Sequence, residues 1–347
     1  MSQKRMTKTQ SILVFLISAL LITQSGLAQS ERNFDTWLAE LRAEAVAKGF
    51  SAETIDLAFS EITPPVPRII SNDRAQPERV QTYDDYLGAR VSEWKIRNGK
   101  QLMAEHAELL QEVAQQYGVQ ARYIVAFWGM ETNFGTYPIP EPLFNALATL
   151  AFDNRRADFF RAQFIAALTM LDSGFPSYDM MKSSWAGAMG QSQFIPESYL
   201  AYAVDHNGDG KRDIWDTEAD VFASIANYLK ARGWRDDMTW GRKVKLPPGG
   251  EDTLRVNEAG GIRAPGRCSS YRGTGVWRDL QQWQELGVRR DDGTDLPPRS
   301  LPAALVYADS GDDEAYIVYE NFCGIMSYNP AFKYALSIGL LSDLVVP

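Results

Sequence analysis

The sequence predicts an α+β protein dominated by helix, with its strands gathered late in the chain. Three observations predict it. Between residue 32 and Trp234 the apolar residues recur mainly at helical spacing, punctuated by Gly and Pro. After Trp234 the composition shifts to Gly, Pro and β-prone runs, until a last helical stretch closes the chain. No internal repeat or low-complexity tract interrupts this order, so a helical body with a smaller β-rich insertion is the simplest layered arrangement.

The amino terminus is separate from that body. Lys4, Arg5 and Lys8 precede an apolar stretch of about eleven residues, Ile12 to Ile22, and Gly26 and Ala28 then supply small residues for cleavage after Ala28. A membrane-spanning helix needs about 20 apolar residues, so a signal peptide over 1–28 and export without a transmembrane anchor are expected. No cysteine stands near the cleavage point to take a lipid.

The stretch 29–100 is expected to hold N-terminal helices and a linker. "FDTWLAELRAEAVAKGF" reads as a helix ending at Gly49, and "ITPPVPRIISNDRAQPE" as a proline-containing connection. From Tyr83 a helical pattern runs through "GKQLMAEHAELLQEVAQQYGV", with Leu102, His106, Leu109, Leu110 and Val113 on one face and Gly118 as its stop. The next helix opens near Gln120 and carries "YIVAFWGME". Two more follow between Phe144 and Leu171, and a further pair, "ESYLAYAV" and "ADVFASIANYLKARGW", flanks a polar loop; 101–235 is the main helical unit. The remainder, 236–347, contains "AALVYADSGDDEAYIVYENF", which reads as a hairpin around "DSGDD", and the final helix "PAFKYALSIGLLSDLV".

Composition narrows the function classes. A formal net charge of -9 gives no general attraction to nucleic acid, and 45% hydrophobic with 23% charged residues is ordinary for a globular chain. The two histidines, His106 and His206, lack metal-ligand spacing and make a zinc site or a Ser-His-Asp centre hard to build. Cys268 and Cys323 are the only cysteines, and in an oxidising compartment they either pair as one disulfide or remain two buried thiols.

Three stretches carry chemistry. Glu131 ends the otherwise apolar "YIVAFWGM", one turn beyond Phe127 and Trp128. Apolar neighbours and the negative end of a helix both disfavour a carboxylate, so Glu131 is either a proton donor near neutral pH or a solvated helix-end residue. "SSWAGAMGQSQFIPESY" sets small residues beside Gln191, Ser192 and Gln193, uncharged groups suited to sugar hydroxyls or an N-acetyl group, or else a tight interhelical turn. In "DHNGDGKRDIWD", Asp205, Asn207 and Asp209 fall at positions 1, 3 and 5, Gly210 at 6 and Asp216 at 12 of an EF-hand calcium loop. Lys211 would offer its backbone carbonyl, and Asp220 is the candidate last ligand where the short Asp216 does not reach. A single loop points to a structural Ca2+ rather than a sensor.

Together, "ETNFG", "NALATLAFDNRR", "SSWAGAMGQSQFIPESYLAYAVDHNGDGKRDIWD", "IANYLKARGW" and "SYNPAFKYA" resemble, in order and spacing, the lytic murein transglycosylase B family, from about Tyr83 onward. The resemblance implies a lysozyme-like helical catalytic core with a calcium loop and an associated β-rich subdomain, acting on peptidoglycan. It implies Glu131 as a single acid/base that cleaves the bond between N-acetylmuramic acid and N-acetylglucosamine and leaves a 1,6-anhydro end. Ser184, Gln193, Tyr228, Tyr328, Asn329 and Tyr86 match cleft positions of the family, and Arg155 and Arg156 an arginine pair near the substrate's acidic groups. "TYPIPEPLF" after Glu131 departs from the family's pattern. The implied partners are periplasmic glycan strands, with cell-wall synthesis or division proteins as a further possibility, and no separate wall-binding module is expected after "LLSDLVVP". Two other readings stay open: a muramidase using water and a second carboxylate such as Glu141 or Asp153, and a non-catalytic wall-binding scaffold.

Overall fold

The computed structural model describes residues 33–75, 81–250, 261–271, 275–308 and 314–346. The expected leader, its cleavage point after Ala28 and the hairpin turn at 309–313 lie outside the described residues. The helices are α1 (Phe34–Ala47), α2 (Ala52–Phe59), α3 (Pro67–Arg74), α4 (Tyr83–Arg90), α5 (Glu93–Glu105), α6 (Ala107–Tyr117), α7 (Ala121–Thr132), α8 (Leu143–Phe152), α9 (Ala157–Asp172), α10 (Pro196–Tyr202), α11 (Glu218–Ala231), α12 (Leu280–Glu285), α13 (Glu320–Tyr328) and α14 (Phe332–Leu344). The strands are β1 (Glu141–Pro142), β2 (Lys182–Ser183), β3 (Gly241–Lys245), β4 (Trp277–Asp279), β5 (Arg289–Arg290), β6 (Pro302–Tyr307) and β7 (Ala315–Val318). The fold class is the expected one: mostly helix, with a small antiparallel sheet.

Side-chain caps start several helices. The oxygens of Asn33, Ser51, Thr82 and Ser92 accept from backbone N–H groups of the first turns of α1, α2, α4 and α5. The stretch expected as linker contains α3, because Pro67 is pre-set for a first helical turn and Ile69 and Asp73 have buried places to go. The expected long helix from Tyr83 to Tyr117 is three. Val91 and His106 leave helical geometry, and the His106 ring packs edge-on against Trp128 and Phe222 at 5.8 and 5.4 Å.

One hydrophobic core runs from Trp37 of α1 to Val345 beyond α14, so the first and last helices pack into the same interior as α7, α8, α9 and α11. Within it α14 lies on α7 and also meets α4. The five-stranded sheet has the order β4-β6-β7-β3-β5, antiparallel throughout, with Ala304↔Val318 and Gly241↔Val318 fixing the register of its middle. Strand alternation divides its side chains. Val306, Tyr316 and Val318 join the main core, whereas Leu305, Ala315 and Ile317 form a second one closed by Leu280 and Trp283 of α12. The hairpin run ends earlier than its sequence pattern suggests: β7 stops at Val318, and "ENF" begins α13, where Asn321, Phe322 and Cys323 are buried.

Cys323 of α13 is bonded to Cys268, which lies in a short 3-10 turn, Gly266–Ser270; both are buried. The bond closes a loop with a sequence separation of 55 residues, enough to restrict the unfolded chain by about 2–4 kcal/mol. Replacing both, Cys268→Ser with Cys323→Ser, is therefore expected to lower the free energy of unfolding by about that amount, measured by urea unfolding, with a steeper slope as the unfolded chain expands.

Candidate active site

Glu131 occupies the last turn of α7, and the chain leaves that helix in an unusual way. Asn133 caps it in the left-handed region at φ 49°, and Phe134 follows at φ 60°. The Asn133 N–H donates to the Gly129 carbonyl and the Phe134 N–H to that of Trp128, which satisfies carbonyls the helix end would strand. Asn tolerates this backbone region; Phe does so only under constraint from its surroundings. The constraint is Gly129, since a Cβ there would stand 2.5 Å from the Phe134 ring. The one other described non-glycine residue with positive φ is Gln193, at 50°, in the second motif stretch.

That second stretch is held to α7 through Gln191. The Trp128 Nε1–H donates to Gln191 Oε1 at 2.6 Å, and Gln191 Nε2 donates to the Trp215 carbonyl at 2.6 Å. Its backbone N–H donates to the Ile214 carbonyl at 2.7 Å, and its own carbonyl accepts from Thr132 Oγ1. Gln191 thus joins α7, the small-residue turn and the end of the acidic loop; its amide is spent inside the protein, contrary to the sugar-binding part suggested by composition. Gly190 makes the approach possible, because a Cβ would sit 2.6 Å from the Ile214 oxygen. Ser192 is wholly buried.

Around Glu131 the groups are aromatic and come from distant chain. The Tyr334 hydroxyl of α14 donates to Glu131 Oε1. Burial, followed by the nearby Glu131 charge, pushes the Tyr334 and Tyr328 hydroxyls well above their usual range, so both act as neutral donors at any physiological pH. Tyr328 donates to the Ser192 carbonyl, and its ring lies 4.7 Å from those of both Phe127 and Tyr228. Tyr228 donates to the Ser327 carbonyl, and burial raises its hydroxyl's pKa against the pull of Arg232. Tyr86 is buried close enough to Tyr334 to affect its ionisation. Gln193, Tyr202, Tyr228, Arg232 and Tyr328 line a cavity of about 400 Å³.

The remaining expected residues divide. Ser184 caps its own turn, its Oγ accepting from the Ala186 and Ala188 N–H groups, and Gln193 Nε2 folds back onto the Gly190 carbonyl at 3.0 Å. Asn329 Oδ1 accepts from the Ala331 N–H and so sets the entry to α14. Arg155 and Arg156 both bond to Asp73 of α3, which is 1% exposed, while their own side chains keep 31% and 37% exposure. Glu141 pairs with Arg68 at 2.6 Å and Asp153 with Arg74 at 2.8 Å, so both candidate second carboxylates are tied to α3. Sequence reasoning missed Tyr334 as the partner of Glu131. Its only sequence signal was its place in "SYNPAFKYA", because a hydrogen bond across 203 positions leaves no local pattern.

The acidic loop winds around its own carboxylates. Asp205 accepts from the N–H groups of Gly208, Asp209 and Gly210, Asn207 from Asp209, and Asp209 from Lys211. Asp220 closes the loop, one oxygen taking the His206 N–H and the other that of Asp213. It is fully buried, and that burial raises its pKa. Asp216 is exposed, and its backbone donates to Asp213. Among the described residues no three acidic, His or Cys side chains already converge on a metal position. The donors are hard oxygens of the kind calcium takes, and a buried carboxylate among other acids is what a cation would relieve.

Residues 33–343 match the family model described as transglycosylase SLT domain. Membrane-bound lytic murein transglycosylase B of Escherichia coli (strain K12) is 32% identical over 252 residues, 72% of this chain and 63% of that protein. The matched part is therefore less than two thirds of the relative's length. SltB3 from Pseudomonas aeruginosa, solved in complex with NAG-anhNAM-pentapeptide, is 39% identical with a TM-score of 0.79, over 90% of this chain and 79% of that one. The Escherichia coli lytic transglycosylase Slt35, solved in complex with calcium, is 26% identical with a TM-score of 0.71, over 88% and 91% of the two chains.

Replacing Gln191 tests the clamp. Gln191→Ala leaves the buried Trp128 Nε1–H without its acceptor and is expected to cost about 1–3 kcal/mol of stability. Thermal unfolding with tryptophan fluorescence as the signal measures it; a melting temperature equal to that of the parent would remove Gln191 from this structural part.

Proposed function

Because this chain belongs to the family of the transglycosylase SLT domain, we propose that it is a lytic transglycosylase that cleaves peptidoglycan. The observation that carries the reading is Glu131, a lone carboxylate at the end of a buried helix, hydrogen-bonded by Tyr334 and ringed by further tyrosines. In the proposed reaction Glu131 gives its proton to the oxygen of the glycosidic bond between N-acetylmuramic acid and N-acetylglucosamine, and that bond breaks. The Glu131 carboxylate then takes the proton of the muramic C6 hydroxyl, whose oxygen closes on C1 to form the 1,6-anhydro ring. The carboxyl ends as it began, and no water is consumed. A hydrolase would need a second carboxylate to activate water or to form a covalent intermediate. Glu141 and Asp153 are held by arginines of α3, which supports the single-carboxylate route.

Tyr228, Tyr328, Gln193, Ser184, Asn329 and Tyr86 make up the proposed glycan cleft. Arg155 and Arg156 retain exposed surface and unsatisfied donor capacity for acidic groups of the substrate. The working unit is 101–235, completed by the sheet and α14 of 236–347 and, from the 29–100 region, by α4 with Tyr86. Export through a leader cleaved near Ala28 would put the enzyme in the periplasm with its substrate, where cell-wall synthesis or division proteins are candidate partners. The P. aeruginosa structure with a peptidoglycan fragment supports this substrate class.

Asp205, Asn207, Asp209, the Lys211 carbonyl and Asp220 would hold a calcium ion, with Asp216 at the outer edge. The ion would supply positive charge to a loop whose carboxylates repel one another. Its effect is structural, since the loop reaches the active site through Trp215 and Gln191.

Two experiments test these readings. Residues 29–347 should release products ending in 1,6-anhydromuramic acid from purified peptidoglycan, and Glu131→Gln should lower turnover by at least about a thousandfold while the protein stays folded, a loss in line with removing the group that performs both proton transfers. Mass spectrometry separates the outcomes: reducing ends, heavier by one water, would indicate a muramidase, and no products from the folded parent would leave a wall-binding scaffold. Calcium at a hundred times its dissociation constant should stabilise the parent by about 2.7 kcal/mol and Asp205→Asn far less. Equal melting temperatures with calcium and with EDTA would sink the calcium assignment.

A further inference from the structure

Lys95 is the only lysine among the described residues that is buried, at 5% exposure. It sits in the first turn of α5, where its N–H donates to the Ser92 cap. One turn on, a Cβ at Gly99 would lie 2.5 Å from Val345 and 3.4 Å from the Phe134 ring. Residues four apart share a helix face. The face bearing Lys95 is thus turned toward the junction of α7 and α14, the helices that bring Glu131 and Tyr334 together. The neighbouring Trp94 ring confirms the approach, 6.1 Å from that of Phe134.

A cation in that place is costly, and its pKa is pushed down to about 8 by burial and by Arg90 at the end of α4, with Glu131 pulling upward. Among the described residues, titratable groups that also act on Glu131 include Tyr328 of α13 and Tyr334 of α14, with Tyr86 of α4 behind Tyr334. All three are tyrosines, and Tyr328 and Tyr334 are held neutral far beyond the working range. Lys95, with Arg90 beside it, brings positive charge to this surround.

Glu131 must donate a proton and then recover one within a single turnover. Its apolar neighbours Phe127 and Trp128 and the negative end of α7 disfavour a carboxylate, which suits the first step and opposes the second. A positive charge in a poorly screened interior favours the carboxylate over several ångströms. We propose that Lys95 is a positioning residue for catalysis, its buried ammonium countering the apolar neighbours and helix end at Glu131 so that one carboxyl group can serve as both acid and base. The catalytic part of this inference rests on the transglycosylase reading; the electrostatic coupling of the two side chains does not.

The test is therefore a titration before it is an assay. In the full mature chain, carbon-13 NMR of the glutamate carboxyl groups, with Glu131 assigned by loss of its signal in Glu131→Gln, should show Glu131 titrating at least about half a pH unit higher in Lys95→Met than in the parent, as loss of a nearby opposite charge requires. Lys95→Arg should restore the parent value. On peptidoglycan, the alkaline limb of turnover should move upward in Lys95→Met by the same interval. An unchanged Glu131 titration in folded Lys95→Met would overturn the inference, as would a shifted titration with an unmoved alkaline limb in an active enzyme. A parent without transglycosylase activity would defeat the functional reading and the catalytic part with it, while the titration still decides the coupling. Should Lys95→Met not fold, the reciprocal measurement decides: Lys95, followed through its Cε resonance, must titrate lower in Glu131→Gln than in the parent, and an equal value would overturn the coupling.

Discussion

Placing a carboxylate at the end of a buried helix is the demand that organises the rest of this protein. An ionisable group taken out of water needs partners with good geometry, and a helix terminus cannot supply them from its own sequence. For Glu131 they arrive from four other helices. Tyr334 of α14 donates to it, Tyr328 of α13 and Lys95 of α5 feel its charge, and Tyr86 of α4 backs Tyr334, while α7 contributes the apolar floor of Phe127 and Trp128. The main core therefore has to join the early and late parts of the chain, and it runs from Trp37 to Val345.

A second layer of contacts fixes the position of that floor. Three non-glycine residues with left-handed backbone, Asn133, Phe134 and Gln193, lie in the two segments that face each other across the site. Two close approaches brace these segments: Phe134 packs against Gly129, and Gly190, three residues before Gln193, against the Ile214 carbonyl. Gln191 then couples the two segments and the acidic loop with four hydrogen bonds. Local strain of about 1–2 kcal/mol per such residue is tolerable where the surroundings over-determine it.

Much of this was legible in the residues themselves. The helical periods, the late β-prone runs and the stops at Gly49 and Gly118 correspond to elements of the structure, and Glu131 stands out as one carboxylate ending an apolar run. What was not legible has a common cause. The α3 helix was hidden in a proline-rich stretch because its stability comes from Ile69 and from Asp73 meeting Arg155 and Arg156, all tertiary events. The break at His106 follows from packing against Trp128 and Phe222, and α13 was concealed by a β-prone run that continues past the true strand end. At the site, the chemical type of Gln191 suggested a sugar contact, but whether an amide faces a ligand or the interior depends on neighbours such as Trp128 and Trp215. Lys95 and Tyr334 carried no local signal, since their meaning lies in what folds over them.

The hydrogen bond from Tyr334 to Glu131 has a temporal meaning as well. A chain emerging from the ribosome or a translocation pore exposes Glu131 early and Tyr334 only after 203 further positions. Until α14 has docked, the glutamate lacks the Tyr334 donor and the cover of that helix. The setting of Glu131 is therefore complete only once α14 has docked on α7. A partial chain that stops short of α14 carries Glu131 without that setting.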